Sequence, residues 1–216
     1  MTNLFSVFDP TTGLLSLNWM STLIFMMIMP YKLWVTPNKL MVLFMLIMNT
    51  LKKEIKMLMP YKGFALTALT LFMYILANNL MGLLPYVFTS PSHLMFSLTL
   101  ALPMWLSLMI YGWMNKHNSM FSHLVPNGTP PLLMPFMVMI ETVSNIIRPG
   151  SLAVRLTANM IAGHLLMSLL GNNTLSLNLM MLTMIIYTGL MLFELAVALI
   201  QAYVFMTLST LYSSEI

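Results

Sequence analysis

The sequence contains no cysteine, which excludes disulfide bonds and thiolate metal sites. Charge is also scarce: 6% of the residues are Asp, Glu, Lys or Arg, against about a quarter in a soluble globular domain. The chain has no glycine-rich phosphate loop and no arrangement of a nucleophile with a base, so neither a nucleotide site nor a catalytic site is predicted. A net charge of +4 is too small for a nucleic-acid surface. These absences leave a membrane protein as the expected class.

Hydrophobic residues make up 59% of the 216 residues. This composition predicts a single integral membrane domain spanning residues 1–216. Methionine is frequent, with 27 residues, and is interpreted as flexible apolar filler or as a bias in coding. The first twelve residues include Asp9 and no base, unlike a basic signal sequence or an arginine-rich transit peptide. We therefore expect insertion into the membrane where the chain is made.

Six apolar segments follow one another, and five are predicted to cross the membrane as helices. Segments 14–33, 64–84 and 94–114 are each long enough to cross about 30 Å of hydrocarbon. Segment 40–58 ends in a cluster of charges and is predicted to lie at the interface as an amphipathic helix; a short re-entrant segment is the alternative. The polar connector 115–131 is predicted to be a loop.

The last two apolar segments, 132–170 and 179–212, are longer than a perpendicular crossing requires. As one helix, the first would extend nearly 60 Å, about twice the hydrocarbon thickness. Either its prolines, Pro149 among them, break it, or it is strongly tilted. A turn at 171–174 would join the two segments. The expected fold is an all-α integral membrane protein with about five transmembrane helices and one interfacial helix, the last two long, tilted and forming a hairpin.

Lysines outside the spans predict the direction of insertion. If the second segment is interfacial, the lysines before the third segment fall on the same side as Lys116, which follows the fourth. The positive-inside rule makes this the inner side, with the N-terminus outside and the C-terminus inside. A full crossing by the second segment would split the charges between the two sides. The lysines before the third segment are Lys32, Lys39, Lys52, Lys53, Lys56 and Lys62.

Three ionisable residues recur at intervals of seven in the fifth segment: Glu141, Arg148 and Arg155. On a helix they form one stripe, which Asn159 joins. Arg155 cannot neutralise by losing its proton, and at bilayer depth it costs about 2.5–3.5 kcal/mol. It must therefore face an anion or a water-filled cavity. Glu141 and Arg148 are alternatively an ion pair that only fixes packing.

The remaining embedded polar groups are His164, on the opposite face of that helix from Arg155, and Glu194 with Gln201, seven residues apart on the last helix. A single embedded histidine excludes a haem held by two histidines. Such titratable and hydrogen-bonding groups in apolar spans are typical of a proton relay. A hydrogen bond between helices is the alternative role for His164. The other histidines, His93 among them, flank loops and are interpreted as solvated.

The run from Glu141 to His164, ETVSNIIRPGSLAVRLTANMIAGH, resembles the signature of subunit a of the F-type ATP synthase. The run 193–205, FELAVALIQAYVF, is similar to the last helix of that family. The resemblance covers the whole chain and is strongest from residue 131 onward. The combination of His164 with Glu194 is similar to mitochondrial members. The short N-terminus and the many methionines resemble an organelle-encoded copy from an animal such as an arthropod.

The resemblance implies a non-catalytic stator subunit that forms two offset half-channels against a rotating ring of subunit c. Arg155 resembles the essential arginine that meets the ring carboxylate between the half-channels. His164 and Glu194 correspond to the path from the intermembrane space, and Glu141 corresponds to the acid near the matrix exit. Two classes of function remain as alternatives: a secondary transporter, and a proton-pumping subunit of a respiratory complex.

The resemblance further implies that Asn159 and Gln201 are polar residues near the arginine. It pairs Gln201 with Arg155 and Glu194 with His164, whereas a simple hairpin sets Arg155 level with Glu194. Both registers stay open at this point. The implied location is the mitochondrial inner membrane, with the N-terminus in the intermembrane space and the C-terminus in the matrix. The implied partners are the c-ring, the peripheral stalk and other membrane-sector subunits, with no cofactor, nucleotide or nucleic acid.

Overall fold

The computed structural model describes residues 4–11, 16–24, 27, 35–59, 62–125, 130–172 and 177–215. These residues form helices and connecting segments, with no strand among them, so the prediction of an all-α fold is confirmed. Three short 3-10 helices accompany the α-helices, at Leu4–Phe8, Leu17–Leu23 and Ser90–Ser92. The α-helices are α1 (Lys39–Leu58), α2 (Lys62–Gly82), α3 (Leu94–Asn115), α4 (His117–His123), α5 (Met134–Asn172) and α6 (Leu177–Ser214).

Four of the described helices, α2, α3, α5 and α6, are long and apolar enough to cross a membrane. The helix α1 is not among them. It buries Leu51 and Ile55, one turn apart, in the hydrophobic core, and it packs on α2 and α6. Its interfacial position therefore stays a prediction. Half of the first predicted span, 14–33, is described, at residues 16–24 and 27, and this part includes the 3-10 helix Leu17–Leu23.

The helix α5 has 39 residues and continues without a break through the buried Pro149. The alternative in which proline interrupts this segment is therefore wrong, and the helix extends for roughly 58 Å. Pro135 is the second residue of α5, in the first turn, where a backbone N–H has no acceptor within the helix. Gly171 and Asn172 still belong to α5, and the rest of the expected turn, residues 173 and 174, lies outside the described residues.

The connector contains the short helix α4, His117–His123, so the prediction of a loop throughout 115–131 is wrong. Lys116, with φ −132° and ψ 41°, separates α4 from α3. The Phe121 ring then packs edge-on against Trp113 of α3, with ring centroids 5.0 Å apart. This tertiary contact stabilises a helix that the polar sequence of the connector does not indicate.

The core lies where α2, α5 and α6 meet, with α3 packed against α5. Three alanines there, Ala68, Ala153 and Ala202, are completely buried and bring the helices close together. Phe72 and Phe205 fill the space beside them. This packing leaves one face of α5 uncovered. It also fixes where the polar residues of α5 and α6 lie along the length of the bundle.

Candidate functional site

The bundle has two ends, at which the embedded polar residues collect. We call the hairpin end the one where α2 and α5 finish and α3 and α6 begin. The connector end is the one where α3 finishes, α4 lies and α5 begins. On α5, Arg155 lies between them, roughly 10 Å past Arg148 and 12 Å before Gly163 along the helix axis.

At the hairpin end, Glu194 of α6 is buried, with 6% of its surface exposed. Its carboxylate lies directly against the backbone of Gly163 on α5, in space that a Cβ at residue 163 would fill. Glu194 is therefore level with Gly163 and His164. Because α5 and α6 are antiparallel, counting back from this contact sets Arg155 level with Ala202, next to Gln201. Of the two registers left open by the sequence, the geometry is that of the resemblance.

His164 packs edge-on against Phe8 of the first 3-10 helix, with ring centroids 6.2 Å apart. Its Nε2 atom is buried and has no hydrogen-bond partner in the part of the chain that the structure describes. Phe8 is followed by the exposed Asp9, whose carboxylate accepts hydrogen bonds from the side chain and backbone of Thr11. These bonds lower the pKa of Asp9. The imidazole of His164 thus contacts the ring of Phe8, and the next residue in the sequence is the acid Asp9.

Asn79 of α2 is completely buried beside α6. Its Nδ2 donates a hydrogen bond of 3.4 Å to the carbonyl oxygen of Ala198, one turn beyond Glu194, while its Oδ1 has no partner among the described residues. From the sequence, two adjacent asparagines in an apolar span, Asn78 and Asn79, are costly facing lipid, which predicts only that they face a helix neighbour or the headgroups. A pair of amides within an otherwise apolar span was the sequence signal that could have placed Asn79 inside the bundle, beside Glu194.

His93 is half-buried at the start of α3, so its interpretation as a solvated residue is wrong. Its ring stacks on Phe88, with centroids 5.2 Å apart, and its Nε2 is buried without a partner among the described residues. The cause is the buried 3-10 helix Ser90–Ser92, which packs on α5 and folds the loop into the bundle. Buried polar atoms of this kind are expected to bond to ordered water.

At the connector end, Arg148 contacts two carboxylates. Its Nη2 lies 3.7 Å from Oε1 of Glu141, its Nη1 contacts the Glu215 carboxylate, and its guanidinium lies 5.1 Å from the ring centre of Tyr212. The expected pair of Glu141 with Arg148 is present. Glu215 was not predicted as a site residue, although it is the one charged residue of the sequence after Glu194.

These residues line a cavity of about 390 Å³ between α3, α4, α5 and the end of α6. Trp105 of α3 also lines it, and the buried indole Nε1 of this residue has no partner among the described residues. The cavity therefore combines an apolar wall with three charged groups. The lining residues outside this group include Trp113, Met120, His123, Thr142 and Asn145.

Arg155 is exposed on α5, whereas Leu152 and Leu156 beside it on the helix are buried in the core. No carboxylate lies within ion-pair distance of its guanidinium in the described ranges. Asn159 and Gln201 are half-buried near its level. The structure thus does not bring Arg155 to an acid of its own chain, and no described group of three His, Cys, Asp or Glu residues could hold a metal ion.

A helical bundle with four helices long and apolar enough to cross a membrane, polar clusters at both ends and a permanent cation on an uncovered face between them defines a polytopic membrane protein. A sequence model of the family described as ATP synthase A chain matches residues 13–214. The chain is 56% identical to ATP synthase subunit a of Anopheles quadrimaculatus and to that of Aedes aegypti, over all of this chain and 99% of each relative. It is 54% identical to ATP synthase subunit a of Drosophila melanogaster, with the same coverage. The chain belongs to the ATP synthase A chain family, which confirms the resemblance.

Proposed function

We propose that this chain is the proton-conducting stator subunit of an F-type ATP synthase in the mitochondrial inner membrane. It forms two offset half-channels against the rotating c-ring, with Arg155 between them. The observation that carries the proposal is the exposed Arg155, which has no acid of its own among the described residues and lies between two polar clusters. A mobile carboxylate from another subunit supplies the missing anion.

The inlet half-channel is the hairpin end. A proton from the intermembrane space reaches His164 and Glu194 and passes to the ring. Imidazole suits this step because its proton exchange falls in the physiological range. The buried Asn79 Oδ1 and His164 Nε2, which lack partners among the described residues, support a hydrated path here. Each 100 mV across the membrane adds about 2.3 kcal/mol per proton.

Arg155 acts at the junction. When a ring carboxylate arrives, the guanidinium favours the ionised form, so the carboxylate releases its proton toward the outlet. Since the guanidinium cannot give up a proton, it blocks direct passage from one half-channel to the other. Ser151, Ala158 and Ala162 share the exposed stripe of α5 with Arg155, and their small side chains let a ring helix come close. Asn159 and Gln201 are half-buried near this level, where their amides can form hydrogen bonds.

The outlet half-channel is the connector end, where Glu141 receives the proton and passes it to the matrix. The cavity of about 390 Å³ beside Glu141 supports a water-accessible path there. The lysine distribution supports the orientation with the N-terminus in the intermembrane space and the C-terminus in the matrix. The long, tilted helices α5 and α6 follow the ring. The c-ring, the peripheral stalk and other membrane-sector subunits are the partners.

The test is Arg155→Ala in the assembled complex in membrane vesicles. We expect ATP synthesis driven by a proton gradient, and ATP-driven proton pumping, to fall at least about a hundredfold, as when a preorganised charge is removed. Assembly should be retained because Arg155 makes no ion pair among the described residues. Ser151→Ala, one turn away on the same exposed stripe, is the matched control and should pump normally. Normal pumping by Arg155→Ala would refute the proposal.

A further inference from the structure

Among the described residues, Arg148 is the one charged group that contacts both acids of the connector end. Glu141 and Arg148 both come from α5, seven residues apart, while Glu215 follows the end of α6. The guanidinium also lies over the ring of Tyr212, which fixes its position from the α6 side. The charge next to Glu141 therefore depends on a residue that is 74 positions away in sequence.

The arrangement is poorly explained as a structural ion pair. The side chains of Arg148, Glu141 and Glu215 are 24%, 33% and 53% exposed, and exposed ion pairs contribute little to folding stability. All three line the same cavity, which is open enough for water. Their charges consequently act on whatever protons exchange in that cavity.

We propose that Arg148 and Glu215 are positioning residues for the outlet, which act by setting the charge beside Glu141. This inference rests on the proposed function, because it takes Glu141 as the proton acceptor at the outlet. In general, a positive charge beside a carboxylate disfavours the protonated form, and a second carboxylate that shares the guanidinium reduces this effect. In this cluster Arg148 supplies the positive charge beside Glu141, and Glu215 is the second carboxylate.

The other groups facing the cavity do not supply this balance. The helix α4 contributes His123, and the end of α6 contributes Tyr212 beside Glu215. The helix α3 contributes Trp105 and Trp113 and no ionisable residue. Among the described lining residues, the only permanent positive charge is that of Arg148. Glu215 is thus the residue that can moderate it.

The experiment measures ATP-driven proton pumping by the complex in vesicles whose matrix face is turned outward, as a function of the medium pH. Each rate is divided by the uncoupled ATP hydrolysis rate at the same pH. Arg148→Gln should move the alkaline limb of the profile to higher pH, because protonation at the outlet becomes easier. Glu215→Gln should move it to lower pH. Each shift is expected to be about half a pH unit or more.

Three further variants make the test specific. Arg148→Lys keeps the charge and should stay near the wild-type profile, and the double variant Arg148→Gln with Glu215→Gln should lie between the two single variants. Lys53→Gln removes a positive charge from α1, outside the lining of the cavity, and should not move the profile. An unshifted profile in Glu215→Gln would overturn the inference, even if Arg148→Gln fails to assemble.

Failure of this inference is distinguishable from failure of the proposed function. If Arg148→Gln and Glu215→Gln lower the rate equally at every pH, the cluster is structural and the inference is wrong, while the loss of pumping in Arg155→Ala still stands. If Glu141→Gln pumps at the wild-type rate across the pH range, Glu141 is not the outlet acceptor, and both the inference and the outlet assignment fail.

Discussion

Gly163 shows how a single missing side chain shapes the hairpin end, the proposed inlet. The Glu194 carboxylate occupies the space beside this glycine, because any larger residue there would overlap with the acid. Burial of a carboxylate costs free energy unless hydrogen bonds or charge neutralisation compensate for it. A glycine next to His164 thus places an acid at the level of the imidazole. Size, and not backbone freedom, is what this position requires.

Gly163→Ala is expected to displace the Glu194 side chain. Overpacking of this kind costs about 1–3 kcal/mol, and a comparable loss in the transfer step corresponds to roughly a tenfold drop in pumping. Gly150→Ala is the matched control, since a Cβ at that residue of α5 meets nothing within 4 Å. The measurements are proton pumping in vesicles and the melting temperature of the complex. Equal pumping by the two variants would contradict the prediction.

The defect of Gly163→Ala should also respond to the length of the acid. Adding Glu194→Asp shortens the side chain by one methylene and withdraws the carboxylate from the new methyl group. We expect the double variant to pump faster than it would if the effects of the two single substitutions were independent. Such non-additivity indicates a direct contact. Strictly additive defects would indicate that the two residues act independently.

Among the elements, α5 and α6 were the most predictable, because long apolar runs with few charges leave helix as the only way to satisfy the backbone in lipid. Contacts between residues that are distant in the sequence were harder to predict. The contact of Gly163 with Glu194 depends on how two long helices cross, and that of Arg148 with Glu215 joins residues 67 positions apart. The helix α4 depends on a ring contact between Phe121 and Trp113, which no local pattern indicates.

The predicted interfacial position of α1 can be tested with cysteine labelling, because the chain has no cysteine of its own. Single variants Lys39→Cys and Lys56→Cys lie near the two ends of α1. A membrane-impermeant maleimide should reach both from the same side, since an interfacial helix does not cross. Lys62→Cys and Leu84→Cys bracket the crossing helix α2 and should label from opposite sides. Labelling of the α1 pair from opposite sides would show that this helix spans the membrane.

For the whole molecule, the important property is the separation of the two polar clusters along the bundle. The packing of α2 on α6 and of α3 on α5 holds one cluster at each end, and Arg155 lies between them on the uncovered face of α5. Neither cluster reaches Arg155 through an ion pair among the described residues. Under the proposed function, a proton therefore needs a carrier from outside this chain to pass from one end to the other.

Removing the acid of the hairpin end should consequently stop transport without disturbing the connector end. Glu194→Gln keeps the shape of the buried side chain but cannot hold and release a proton, so we expect ATP synthesis driven by a proton gradient to fall about a hundredfold. Glu54→Gln is the matched control: this exposed acid of α1 accepts a hydrogen bond from Tyr203, away from both clusters. The measurement is the initial rate of ATP synthesis in vesicles after an acid jump, with assembly checked by subunit content. A wild-type rate in Glu194→Gln, or an equal loss in Glu54→Gln, would contradict the assignment of the inlet to the hairpin end.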